Sequence, residues 1–364
     1  MAGSNPPSRA LARELRGRRT AIRAAFLLMG LAGPPHPATA QWYFEPRASL
    51  DTFYDTNFRL LSEDEIASPG LKAQAHLKGG QRTETSDLAL DASVVAWRYL
   101  EAPDYDSNDF FLDLTAVHKR ERDRFGLNGR IDHDSTTTSE LETSGRVQVN
   151  KRRQRLYLAP SWTHSLSERT TIEARASYAD VSYEDAGPLT GLTDYTNVTA
   201  GLLGTYLFSE TTRSTARLSF DRYDASTIPS TVESVGVSVG VRRAFSETLS
   251  GWAEAGVRYS ESESRNPGGT TAKESSTGPI AELGLDWQGE TGSVLLSLRR
   301  ALVPAGTGEL LDTTRAALSA RQDLSPRWSV LANLGAYRNR DDTGGPGRSE
   351  DRDYVSFEPW CVTG

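Results

Sequence analysis

The sequence predicts an all-β protein, an antiparallel up-and-down transmembrane β-barrel of about sixteen strands. Three observations carry that reading. Apolar and polar residues alternate with a period of two over segments of ~10 to 14 residues, longer than the ~5 or 6 usual in soluble domains. A polar turn recurs between segments, as Ser167-Glu168-Arg169-Thr170, Ser209-Glu210-Thr211-Thr212, Ser246-Glu247-Thr248-Leu249, Gly289-Glu290-Thr291-Gly292 and Ser325-Pro326-Arg327-Trp328. Short turns alternate strictly with longer loops rich in Gly, Pro, Ser and Asp, so the repeated unit is a hairpin.

Composition narrows the class further. With 364 residues, 37% hydrophobic and 24% charged, the chain is too polar for a helical membrane protein and too rich in Tyr, Trp and Val to be disordered. The formal charge of −7 includes six arginines against Glu14 in the first forty residues. Without that segment the chain is near −12, which argues against nucleic acid as a partner. Cys361 is the single cysteine, so an intrachain disulfide framework is excluded.

Taken in order, residues 1–40 read as a cleaved export signal. Arginines precede the apolar run Ala24 to Ala32, and Ala38-Thr39-Ala40 supplies a small-x-small cleavage site before Gln41. Arg18-Arg19 invites a twin-arginine reading that Thr20-Ala21-Ile22 matches poorly. Residues 41–364 then form one domain, the barrel. Its strands are expected near 42–56, 70–79, 85–99, 108–119, 124–137, 150–165, 170–184, 194–207, 212–225, 232–244, 249–262, 276–288, 291–302, 310–322, 327–340 and 352–362. Val235, Val237, Val239 and Val241, alternating with Ser234, Gly236, Ser238 and Gly240, show the pattern most plainly. Such strands match the ~9 to 11 residues that a tilted strand needs to cross a bilayer. Aromatics at segment ends, among them Trp97, Tyr99, Tyr206, Phe208, Trp287, Trp328 and Tyr337, are expected to form an interfacial girdle. An even strand count puts both ends of the barrel on the short-turn side, the periplasm in a Gram-negative outer membrane.

Charged residues in mid-strand suit an aqueous lumen and not a dry core. Alternation therefore nominates Arg153, Arg155, Glu173, Arg175, Arg217, Glu254 and Arg258 as pore-lining candidates. Lys151-Arg152-Arg153-Gln154-Arg155 is the densest charge cluster; it reads as an attractor of anionic solutes or as a strand end meeting lipopolysaccharide phosphates. Catalytic chemistry finds little support. His76, His118, His133 and His164 stand singly, with no metal-ligand spacing, and His133-Asp134 lacks the second carboxylate pair of an omptin-like protease. Gly-rich stretches lack a phosphate-loop lysine. The acidic loops around Asp104, Asp106 and Asp109, and around Glu350, Asp351 and Asp353, read as solvated segments with some capacity for calcium. No enzyme activity, cofactor or metal is expected.

The leader, the hairpin repeat, the Ser-Glu-Arg-Thr turn and the phrase Val149-Asn150-Lys151-Arg152-Arg153 leading into Leu158-Ala159-Pro160-Ser161-Trp162 together resemble the outer-membrane β-barrel porins that occur with exopolysaccharide and protein-sorting loci of proteobacteria. The resemblance implies a porin-like channel for solutes or exopolysaccharide. It also implies outer-membrane lipid and lipopolysaccharide, the barrel assembly machinery and polysaccharide export proteins as partners. It carries over no site residues. Two alternatives stand beside it, a non-conducting structural or assembly component of an envelope export system and an outer-membrane barrel enzyme. Barrels of this kind end in an aromatic residue, whereas this chain ends Trp360-Cys361-Val362-Thr363-Gly364, soon after Phe357-Glu358-Pro359 begins a strand phrase. The expectation is a chain cut short or altered at its C-terminus, which either continues to eighteen strands in the complete form or assembles poorly as it stands; the alternative is a sixteen-strand barrel with an unusual end.

Overall fold

A computed structural model describes residues 40–56, 67–136, 139, 150–187, 190–226, 229–265, 271–304, 310–325, 328–341 and 352–363. Sixteen strands follow one another: β1 (Gln41–Asp55), β2 (Ser68–Arg82), β3 (Ser86–Tyr99), β4 (Ser107–Lys119), β5 (Asp123–Ser135), β6 (Arg152–Ser165), β7 (Thr170–Tyr183) and β8 (Tyr195–Ser209). The series continues with β9 (Thr212–Ala225), β10 (Ser230–Ala244), β11 (Leu249–Arg265), β12 (Thr271–Gln288), β13 (Gly292–Pro304), β14 (Leu310–Ser325), β15 (Trp328–Asp341) and β16 (Arg352–Thr363). Each pairs antiparallel with its sequence neighbour, in the order β1 to β16. This is the up-and-down wall of a barrel, and among the described residues no ladder joins β16 back to β1. The expected export signal, apart from Ala40, and most of the expected loop 341–351 lie outside the described residues.

The two faces differ in burial because the sheet curls around one of them. On β10, Ser238 is 5% exposed while its neighbour Val239 is 65% exposed. Adjacent side chains point to opposite faces, so the serine faces inward and the valine outward. Ladder register extends this assignment across the wall. Val237 pairs with Leu218 on one side and Val257 on the other, and all three are exposed. Exposed Leu, Val, Phe and Trp side chains fill the outer face from β1 to β16.

The recurring turn owes its form to its serine. Ser167 Oγ accepts the backbone N–H groups of Arg169 (3.2 Å) and Thr170 (3.1 Å). Ser209 Oγ does the same for Thr212 (3.1 Å), and Ser246 Oγ for Thr248 (3.3 Å) and Leu249 (3.0 Å). A hydroxyl thus satisfies amides that the tight reversal would otherwise leave without a strand partner.

The girdle holds only in part. Tyr206, Phe208, Tyr259, Trp287 and Trp328 are exposed on the outer face. Trp97 and Tyr99 instead point inward and pack edge-on against Phe53, and Tyr337 stacks on Tyr354 at 4.4 Å on the inner face. Odd and even positions of one strand cannot share a face, and position along the strand does not reveal which face an aromatic takes.

One ladder is short. β12 and β13 pair only from Gln288↔Ser293 to Ala281↔Arg300, and Pro279 stands just beyond the break. Proline has no N–H for a ladder bond. Freed there, the far end of β13 leans over the inner face. Leu302 packs on a buried cluster that includes Val181, Tyr195, Tyr223 and Val232, and Asp312 of β14 comes within 3.7 Å of Arg258 on β11.

Candidate functional site

Register brings inward side chains of different strands into rows. One row runs Arg175, Gly201, Ser219, Gly236, Arg258 and Gly278, from β7 to β12. The next row toward the short turns holds Glu173, Leu203, Arg217, Ser238 and Ile280. Small residues between the charged ones hollow the wall. The result is a cavity of about 360 Å³ on the inner face, bounded by β7 to β13.

Five of the seven pore-lining candidates, Glu173, Arg175, Arg217, Glu254 and Arg258, line this one cavity. Each guanidinium has an acidic neighbour. Glu173 pairs with Arg175 along the same strand. Arg217 Nε lies 3.3 Å from Glu254, whose other contact is the Ser238 hydroxyl, donating at 2.7 Å. Arg258 lies over Gly278, where a Cβ would come within 2.8 Å of its guanidinium, and is nearly enclosed beside Asp312.

Arg153 and Arg155 face the same interior but belong elsewhere. Arg153 forks both oxygens of Asp134 at 2.9 and 2.7 Å, with both side chains buried. Arg155 lies over the Tyr157 ring, 3.8 Å from Asp132. With Arg130 on Asp132 (2.6 Å) and Arg152 on Asp109 (3.1 Å) they form an ion-pair lattice that ties β4, β5 and β6 together near the long loops. The Lys151–Arg155 cluster is therefore consumed largely within the wall. Lys151 itself, in the loop before β6, donates to Asp185 at 2.6 Å, and that carboxylate holds its ammonium pKa above the ordinary lysine value.

Pattern reading missed Asp221, Glu282 and Arg299, which also line the cavity. Trp252 Nε1 donates to Glu282 at 2.7 Å, and Arg299 approaches the same carboxylate at 4.0 Å. All three have inward parity, so carrying the ladders onward from Arg217 would have found them. Asp312 has no such signal, because it reaches Arg258 only through the break at Pro279. The remaining motifs separate. His133 and Asp134 point to opposite faces, and Arg153 takes the aspartate. Asp106 accepts the Tyr99 N–H at 2.8 Å, and Asp353 takes Arg338 at 2.9 Å, so these acids already serve the wall. Glu350 and Asp351 lie outside the described residues.

No family model matches the sequence, and no curated protein matches it. Among solved structures, the chain is similar to the ferric citrate transporter FecA in its unliganded form, at 10% identity and TM-score 0.45, over 90% of this chain and 56% of that one. Similarity to the copper transporter OprC is at 9% identity and TM-score 0.45, over 91% and 60%. Outer-membrane expressed OmpT of Vibrio cholerae is similar at 11% identity and TM-score 0.37, over 70% of this chain and 99% of that one. The chain thus spans less than two thirds of the length of FecA and of OprC.

Proposed function

We propose that this chain is an outer-membrane β-barrel of a Gram-negative cell, exported by its N-terminal signal, whose inner face forms a porin-like channel for small solutes. The observation that carries this reading is the opposition of the two faces. Valine and leucine stand exposed on the outer face, while a mid-strand belt of paired arginines and carboxylates lies behind them. Outward apolar side chains need lipid to cover them, and paired inward charges need water. Lipopolysaccharide and the barrel assembly machinery are the partners that such a location supplies, and exopolysaccharide is the larger cargo that the family resemblance suggests. One observation favours a non-conducting structural role instead: Val181, Tyr195, Tyr223 and Leu302 fill the inner face toward the long loops. Planar-bilayer recording separates the two. Discrete open steps of porin size are expected. Silence across many insertions of heat-modifiable protein overturns the channel and leaves the structural role.

A further inference from the structure

The geometry points to a binding site for a hydroxyl-bearing organic carboxylate in the inner cavity, an inference that rests on the channel reading and names its class of solute. The charges turned toward the void are the arginines. Side-chain exposure is 59% for Arg175 against 17% for Glu173, 43% for Arg217 against 17% for Glu254, and 68% for Arg299 against 36% for Glu282. The acids lie against the wall and hold the guanidinium groups outward, each with donors left for a second acceptor. A guanidinium fork matches a planar carboxylate with two parallel hydrogen bonds.

A second, independent observation concerns hydroxyls. Next to the Arg175 and Arg258 row, on its long-loop side, lies a row in which Ser177, Thr199, Asp221, Ser234 and Ser260 are ladder neighbours. Ser177 and Thr199 bond each other at 2.7 Å. Thr199 and Asp221 of this row line the cavity, with Asn197 and Ser219 beside them, while Ser234 and Ser260, 2% and 4% exposed and without a hydrogen-bond partner among the described residues, lie behind it. The side chains of Asn197, Thr199 and Ser219 offer donors and acceptors to a solute hydroxyl in the cavity. Asp221 and Glu282 at the same cavity would accept hydrogen bonds from such hydroxyls and would repel a compact polyanion. A monocarboxylate carrying several hydroxyls fits both sets of groups, and a volume of about 360 Å³ lies within the range of small-ligand pockets.

The test uses the full chain refolded in detergent, calorimetric titration, and three probes: gluconate, sorbitol and propionate. Gluconate is expected to bind at least about tenfold more tightly than either of the others, since each lacks one half of the recognition. Arg217→Gln and Arg299→Gln are each expected to weaken gluconate about tenfold, with Arg82→Gln, far from the cavity, unchanged. If Arg217→Gln fails to fold, Arg299→Gln alone decides, because its contact with Glu282 is loose. Equal affinity for gluconate and sorbitol, equal affinity for gluconate and propionate, or folded arginine variants with unchanged affinity overturn the site. Conductance of the same preparation is recorded in parallel. Conduction without gluconate binding refutes this site alone, and binding without conduction refutes the channel alone.

Discussion

Placing an arginine at Val237 tests which side of the wall meets lipid. Val237 is the eighth of the fifteen residues of β10 and is exposed on the outer face. At ~3.3 Å per residue the strand is ~50 Å long, and a tilt of ~40° gives a height of ~38 Å around an apolar band of ~25 Å. Val237 then sits at the midplane. Val241, four residues on, lies ~10 Å higher, near the band edge at ~12 Å. Val237→Arg should cost ~2 to 4 kcal/mol and Val241→Arg ~0 to 1 kcal/mol. Thr115, exposed on the inner face of β4, should accept arginine within ~0.5 kcal/mol. Urea unfolding of protein folded into phosphatidylcholine bilayers, followed by tryptophan fluorescence, measures all three. A cost for Thr115→Arg equal to that for Val237→Arg, or no fall from Val237 to Val241, would refute the reasoning.

Other expectations follow from single contacts. Asp134→Ala leaves the Arg153 guanidinium buried without its carboxylate and should cost ~3 to 5 kcal/mol in the same assay, while combining Asp134→Leu with Arg153→Met should recover most of it. Gly284→Ala should displace the Trp252 ring, which occupies the space that the added Cβ would need, costing ~1 to 3 kcal/mol and altering the emission of Trp252. Ser167→Ala removes the turn acceptor for two amides and should cost ~0.5 to 1.5 kcal/mol. The contact of Lys151 with Asp185 is fully present below the unfolded lysine pKa and is lost as pH rises through the higher folded value. Dimethyl-lysine resonances should therefore show Lys151 titrating above the ordinary value of 10.5, and a midpoint at or below it contradicts the pairing. A closed barrel in lipid resists detergent until boiled, so unboiled protein should migrate faster on a gel than boiled protein.

Much of the wall was legible because alternation over a long strand repeats its signal many times. All sixteen strands lie within a few residues of their expected positions. The widest error is between β11 and β12, where strand extends to Arg265 and resumes at Thr271 against an expected loop from Glu263 to Ser275. Both faces are polar there, as Glu261-Ser262-Glu263-Ser264 shows, so nothing alternates to be read. Parity gave the inward face of Glu173, Arg175, Arg217, Glu254 and Arg258, and their meeting in one cavity required the register of four ladders, from β7 to β11. Arg153 looked available from its basic neighbours, but its partner Asp134 is nineteen residues away in sequence and becomes adjacent only through the β5 to β6 ladder. Asp312 was beyond reach, since a proline in β12 decides where β13 and β14 lean.

The central claim, a wall with lipid outside and water inside, is tested most directly by a cysteine scan of β9 in outer membranes, after Cys361→Ser. Arg217, with Thr215 and Ser219, faces the cavity side, while Ala216, Leu218 and Phe220 are exposed outward. Cysteines at 215, 217 and 219 should react with a charged, membrane-impermeant thiol reagent. Those at 216, 218 and 220 should react only with a lipid-soluble maleimide. Equal labelling of both sets by the charged reagent would contradict the account.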